Sequence, residues 1–146
     1  MKCYFYGNRF TYGRNDGLVS FAIPDYGIIF RTIWDAGKTE CEYLGLLTLL
    51  RFLELNAEKF KDEKIEIFSD SSVVVSQLRG LLESTMEVQK YNEAAVHYRQ
   101  LINYSIHWVP LYENPAFTGL KGFPPNPELG KMNFTLPADF GVSYDA

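Results

Sequence analysis

Short apolar runs, each bounded by glycine, proline or charged residues, occupy the start of the chain and predict β-strands. The first run is residues 2–6, and two further runs follow at residues 18–23 and 28–34. Between the second and third runs, Pro24 and Gly27 occupy the second and fourth positions of a four-residue turn, as a type I turn prefers. The second and third runs are therefore predicted to form an antiparallel hairpin, so that three strands precede the first helix.

Apolar residues recur at helical spacing farther along the chain. Residues 43–55 are apolar around more than one face, which is typical of a helix buried against a sheet. The β-branched and aromatic run at 65–68 predicts a fourth strand, which leads directly into a helix that ends near Gly80. An amphipathic helix to about residue 104 and a fifth strand over 105–111 follow. The order β-β-β-α-β-α-α-β predicts an α/β fold with a five-stranded mixed sheet and helices packed on it.

Two helix starts are predicted from capping boxes, in which a Ser or Thr N-cap is followed three residues later by Glu. Thr39 and Glu42 precede the first long helix, and Ser84 and Glu87 precede the last one. Glu42 therefore has two interpretations. It is either the partner of Thr39 at the helix start or a carboxylate that is available for chemistry.

Residues 1–118 are predicted to form one globular domain, because a chain of 146 residues suits a single core and 47% of its residues are hydrophobic. Residues 114–117 are predicted to open a short helix. Residues 119–146 are rich in Pro, Gly and Asn and show no sustained period. They are predicted to form a tail that is either packed on the domain or partly disordered.

Charge and cysteine content narrow the functional classes. The formal net charge is -4, which argues against the sequence-independent phosphate attraction of a strongly basic nucleic-acid-binding protein. A metal-dependent enzyme is compatible with this charge, because bound divalent cations offset carboxylates locally. Cys3 and Cys41 lack metal-ligand spacing and are predicted to be reduced, buried thiols. The sequence shows neither a signal peptide nor a membrane span, so a cytoplasmic location is expected.

Asp70 lies at the joint between the fourth strand and the helix that follows it. A carboxylate at the carboxyl end of a central strand faces the crevice in which open α/β sheets bind ligands. The alternative is that Asp70 is only an N-cap, which accepts a hydrogen bond from a backbone N–H of the first helical turn. In a mixed sheet of this order, Glu42 and Asp70 are able to meet at one edge and to share hard divalent cations such as Mg²⁺.

Three segments resemble type 1 ribonuclease H. Residues 41–46, CEYLGL, resemble the AEYxAL helix of that family, and residues 69–78, SDSSVVVSQL, resemble its DSxxVVxQL segment. Residues 107–114, HWVPLYEN, resemble the family's last core strand and its VPRExN loop. The likeness covers roughly residues 1–118 and is most specific around Asp70.

The resemblance implies a ribonuclease H-like fold and, in active members, hydrolysis of the RNA strand of an RNA–DNA hybrid with two divalent cations, Mg²⁺ or Mn²⁺. Four carboxylates normally hold these cations in that family. Glu42 and Asp70 match the second and third carboxylates. The first carboxylate would fall near Tyr6 and the fourth near Phe117 or Thr118, where this sequence has no acid.

The resemblance also assigns supporting roles. Asp16, which copies the family's DG doublet, and Asp139, in the tail, are candidate third metal ligands. Ser71 and Asn114 are candidates for contact with nucleic acid, although Asn114 is alternatively a plain turn former.

Two functions are compatible with this half-complete set of acids. The first is a ribonuclease H-like protein with a weakened or degenerate two-metal site, which binds or hydrolyses the RNA strand of RNA–DNA hybrids. The second is an inactive module of the same fold that binds a protein or a nucleotide-like ligand. In that case the aromatic residues of the tail provide the contact or a site of self-association. No membrane partner is expected.

Overall fold

The computed structural model describes residues 1–9 and 17–120. Within them, a single sheet is built from β1 (Lys2–Arg9), β2 (Gly17–Ile23), β3 (Ile28–Trp34), β4 (Ile65–Ser69) and β5 (Tyr104–Trp108). The spatial order is β3-β2-β1-β4-β5. The β1–β2 and β2–β3 pairs are antiparallel, whereas the β1–β4 and β4–β5 pairs are parallel. The predicted α/β fold with a five-stranded mixed sheet is confirmed.

The helices of the described residues are α1 (Lys38–Leu55), α2 (Ala57–Phe60), α3 (Ser72–Leu78), α4 (Gln89–His97) and α5 (Pro115–Thr118). Helix α1 crosses β1 and β2, and nearly all of its residues from Cys41 to Leu53 are buried. The main core lies between the sheet and the layer of α1, α3 and α4. The short helix α5 packs against the opposite face of β1 and β2.

Two glycines allow the backbone of α1 to lie directly on the sheet. A Cβ atom on Gly7 of β1 would stand 2.2 Å from the backbone carbon of Cys41 and from the backbone nitrogen of Glu42. A Cβ atom on Gly45 would stand 3.0 Å from the carbonyl oxygens of Ser20 and Tyr6. This close approach fixes the start of α1, and with it Glu42, beside the carboxyl end of β1.

Both predicted capping boxes are wrong. Helix α1 begins after Gly37, whose backbone N–H donates to the Glu40 Oε1 atom over 3.3 Å. Helix α4 begins only after Val88, which makes no side-chain capping bond. The capping partner in α1 is thus Glu40 rather than Glu42, which leaves the carboxylate of Glu42 outside the helix cap.

Two further boundaries differ from the sequence prediction. Strand β5 ends at Trp108 rather than at residue 111, because Pro110 lacks the N–H that a continuing strand would need. The last long helix ends at His97 and continues as the 3₁₀ turn Tyr98–Gln100. The short helix predicted from residue 114 is confirmed as α5, with Asn114 as its N-cap.

Cys3 and Cys41 are both buried and free, as predicted. Burial raises the pKa of each thiol to about 12. No helix among the described residues is both long and apolar enough to cross a membrane. From residue 121 onward, the predicted tail lies outside the described part of the chain.

Candidate functional site

Glu42 and Asp70 lie at the same edge of the sheet. Glu42 is near the start of α1, where its backbone packs against Gly7, and its side chain is 6% exposed. Asp70 follows β4 directly and is half-buried. Ser71, the residue after Asp70, donates a hydrogen bond to the carboxylate of Glu42, and the charge of Asp70 adds to the raised pKa that burial gives Glu42. The fold thus brings together the two acids that the sequence singled out.

Ser71, and not Asp70, is the N-cap of α3. The Ser71 hydroxyl oxygen accepts the backbone N–H of Val74 over 3.2 Å. The same hydroxyl donates to the carboxylate of Glu42. The N-cap interpretation of Asp70 is therefore wrong. Ser71 instead links the start of α3 to Glu42, and its side chain is buried.

Asn114 positions the carboxylate of Asp70 through a hydrogen bond. Its amide nitrogen donates to Asp70 Oδ1 over 2.7 Å and to the carbonyl oxygen of Phe5 over 2.9 Å. Its amide oxygen accepts the backbone N–H of Ala116 over 3.0 Å, which caps α5. Since Asn114 is 0% exposed, every part of its side chain is engaged within the protein.

A second contact ties the start of the same loop to Asp70. The indole N–H of Trp108 donates to the main-chain oxygen of Asp70 over 3.1 Å. The N–H of Val109 donates to the main-chain oxygen of Ser69 over 3.0 Å. The segment from Trp108 to Asn114 is therefore fastened to the end of β4 at both of its ends. The sequence carried no signal for the indole contact, which joins positions far apart in the chain.

Tyr6, a residue of β1, lies near the two acids. The Tyr4 and Phe68 rings stack at 5.3 Å on one face of the sheet. Because side chains two residues apart share a face of a strand, Tyr6 lies on that face as well. Burial raises the pKa of Tyr6, and the charges of Asp70 and Glu42 raise it further. A phenol that accepts a hydrogen bond from Asn8 over 3.0 Å thus occupies this position on the strand.

Burial raises the pKa of Glu42 to about 7, and the nearby Asp70 adds to this effect. The hydrogen bond from Ser71 and the charge of Lys38 act in the opposite direction. At neutral pH the carboxyl group is therefore only partly ionised. A cation bound between Glu42 and Asp70 would favour the ionised form, since an opposite charge lowers the pKa of a carboxyl group.

The donor set fits one divalent cation better than two. Mg²⁺ is often held by one or two carboxylates, and water and substrate phosphates complete its coordination. Glu42 and Asp70 are able to provide the two carboxylates. Within residues 1–9 and 17–120, no group of three or more His, Cys, Asp or Glu side chains is placed to hold a metal ion. Asp16 and Asp139, the candidate third ligands, lie outside the described residues.

No protein-family model and no curated protein matches the sequence. Solved structures do match the fold. LC11-RNase H1, isolated from compost, superposes with a TM-score of 0.67 at 18% identity, over 82% of this chain and 90% of that one. RNase H1 from the halophilic archaeon Halobacterium salinarum NRC-1 superposes with a TM-score of 0.61 at 25% identity, over 82% and 92%. The chain has a ribonuclease H-like fold.

LC11-RNase H1 in complex with an RNA/DNA hybrid also matches, with a TM-score of 0.63 at 19% identity, over 82% of this chain and 91% of that one. The resemblance puts the family's first acid near Tyr6 and its fourth near Phe117 or Thr118, and none of these residues is an acid. Thr118 is the exposed last residue of α5, and its hydroxyl donates to the carbonyl oxygen of Asn114 over 3.3 Å. Tyr6, Phe117 and Thr118 supply no negative charge at neutral pH.

Proposed function

We propose that the protein binds RNA–DNA hybrids at the edge formed by Glu42 and Asp70, and that its capacity to hydrolyse the RNA strand is weakened. One observation carries this proposal. Two acids converge at the sheet edge of a ribonuclease H-like fold, while the sequence has no acid near Tyr6 or at Phe117 and Thr118, where the family resemblance would put the other two. The complex of a structural neighbour with an RNA/DNA hybrid supports the class of ligand.

Glu42 and Asp70 are the residues that would hold a divalent cation, either Mg²⁺ or Mn²⁺. When bound, such a cation supplies positive charge that polarises a phosphoryl oxygen. The chain's own groups orient the two carboxylates: Ser71 donates to Glu42, and Asn114 donates to Asp70. Asp16 and Asp139, which lie outside the described residues, remain candidate third ligands.

Asp70→Asn should abolish the dependence of hybrid binding on the cation. We expect Mn²⁺ to strengthen binding of a blunt RNA–DNA hybrid to the wild type by about tenfold, or ~1.4 kcal/mol. The variant keeps an oxygen for the Asn114 amide but loses the charge that attracts the cation. Fluorescence anisotropy of a labelled hybrid, titrated with and without Mn²⁺, measures the difference.

Asp62→Asn is the matched control, because it removes the same charge from an exposed position just before β4, at the opposite end of the strand. It should respond to Mn²⁺ as the wild type does. An equal effect of Mn²⁺ on the wild type and on Asp70→Asn would exclude Asp70 as a ligand.

Restoring the two missing acids should increase hydrolysis. The double variant Tyr6→Asp, Thr118→Asp is expected to cleave the RNA strand in Mn²⁺ at least about tenfold faster than the wild type, because added carboxylates offset more cation charge. It should also be less stable, since Tyr6 is 4% exposed and packs on Phe117 at 5.0 Å. Gel analysis of a labelled RNA strand measures the rate.

The double variant Tyr6→Asn, Thr118→Asn provides the control of equal size without added charge. If both double variants fold and cleave at the same rate, the missing acids are not what weakens the site. Efficient cleavage by the wild type, unchanged in the Asp variant, would contradict the proposal of a weakened site directly.

A further inference from the structure

Two large aromatic side chains are exposed on the segment that is fastened to Asp70. Trp108 is 53% exposed and Tyr112 is 81% exposed. Trp108 ends β5, and Tyr112 lies in the 3₁₀ turn Leu111–Glu113 that follows. Large aromatic side chains are usually buried in a core or an interface, so two of them exposed on one short segment indicate a contact surface.

Each of the two rings has a contact with the protein that favours one orientation. The indole N–H of Trp108 is bonded to the main-chain oxygen of Asp70. Tyr112 meets Phe117 edge-to-face, with ring centroids 6.0 Å apart and planes inclined at 68°. Phe117 packs in turn on Tyr6 at 5.0 Å. A ring that is fixed before a ligand arrives loses little conformational freedom on binding.

We propose that Trp108 and Tyr112 form a stacking site for an unpaired base of a nucleic-acid strand beside Asp70. This inference rests on the proposed function, because it takes nucleic acid to be the ligand. It adds a preference for substrates in which a single strand adjoins the hybrid. The site requires a base that is not inside the duplex, since the two faces of an internal paired base are covered by its neighbours.

The charge of the protein favours stacking as a source of affinity. With a net charge of -4, the chain lacks the general attraction for phosphates that carries most non-specific binding. Aromatic stacking does not depend on that attraction and tolerates any base sequence, because every base has a π-face. Glu113, which is exposed between Tyr112 and Asn114, is acidic and does not attract phosphate to this surface.

Three probes separate base stacking from backbone contact: a blunt RNA–DNA hybrid, the same hybrid with a single-stranded overhang, and a hybrid whose overhang carries abasic sites. We expect the wild type to bind the base-bearing overhang at least about fivefold tighter than the abasic one, as stacking of a single base provides. Tyr112→Ala should remove this preference, and Tyr112→Phe should keep it because the ring remains. Trp108→Phe should weaken it, because the ring remains but loses the indole N–H that bonds to the main-chain oxygen of Asp70.

Leu101→Ala is the control for an exposed apolar side chain, since Leu101 is 60% exposed and lies before β5, at the opposite end of the strand from Trp108. It should retain the full preference. Binding of all three probes with equal affinity by the wild type would overturn the stacking site but leave the proposed function standing. Binding of no probe would overturn both. Equal loss in Tyr112→Ala and Leu101→Ala would overturn the assignment to Tyr112.

Discussion

Replacing Gly7 with alanine should lower the free energy of unfolding by more than about 3 kcal/mol, at the upper end of the cost of overpacking a core. The added methyl group would stand 2.2 Å from backbone atoms of Cys41 and Glu42. Neither partner is the end of a flexible side chain that is able to move aside. The clash is removed only if the start of α1 moves away from β1. Urea unfolding, followed by circular dichroism, measures the change.

The same displacement should reach the candidate site. Glu42 belongs to the backbone that the methyl group would push, whereas Asp70 is anchored to the other side by Asn114. In a Gly7→Ala protein that still folds, the distance between the two carboxylates grows. The effect of Mn²⁺ on hybrid binding should therefore fall together with stability.

Gly80→Ala is the control that distinguishes the steric clash expected at Gly7 from the loss of glycine's conformational freedom. Gly80 has a φ of 74°, a conformation that alanine rarely adopts, but no atom lies within 4 Å of a Cβ built there. Its replacement should cost about 1 kcal/mol through backbone strain alone. Equal losses of stability in the two variants would show that close contact at Gly7 is not what limits the fold.

The sequence was sufficient to predict the elements whose pattern is local. Strand β3 has the predicted bounds, since its alternating residues, Pro24 and Gly27 all act within a short stretch of chain. The deep burial of α1 followed from an apolar surface wider than one face. The convergence of Glu42 and Asp70 followed from the strand order, because the ends of neighbouring parallel strands meet at one edge.

Helix starts were predicted poorly because they depend on contacts across the fold. The Thr39 to Glu42 spacing fits a capping box, yet the helix begins after Gly37. The position of Gly7 under Cys41 and Glu42 draws this turn of the chain into the helix that crosses β1. The predicted first strand ended at residue 6, whereas β1 continues through Gly7 to Arg9, so the close approach at this glycine was not predicted.

The side chains that orient the two acids could not be predicted from the local sequence pattern. Asn114 was assigned either to a turn or to nucleic acid, but its amide bridges Phe5 on β1 and Asp70, which follows β4. Hydrogen bonds of this kind depend on three-dimensional proximity and leave no periodic pattern. The same holds for the bond from Trp108 to Asp70.

Replacing Glu42 with glutamine should stabilise the protein by about 3 kcal/mol above pH 7, and the gain should disappear below about pH 4.5. The pKa of Glu42 is raised from 4.5 to about 7 in the folded protein, mainly by burial. The folded wild type therefore holds a proton that the unfolded chain releases between these pH values. Its stability falls as the pH rises through this range, whereas glutamine has no proton to lose.

Urea unfolding of both proteins from pH 4 to pH 8 measures this difference. The Ser71 hydroxyl that donates to Glu42 is able to donate to the glutamine oxygen as well, so the variant keeps that bond. Glu93→Gln on α4 is the control, because it removes one negative charge from an exposed position and should change stability by less than about 0.5 kcal/mol. Parallel pH profiles for the wild type and Glu42→Gln would contradict the buried, partly protonated carboxyl group. Mn²⁺ at pH 8 tests the pair of acids: it should stabilise the wild type more than Glu42→Gln, because the variant keeps only the charge of Asp70 to attract the cation.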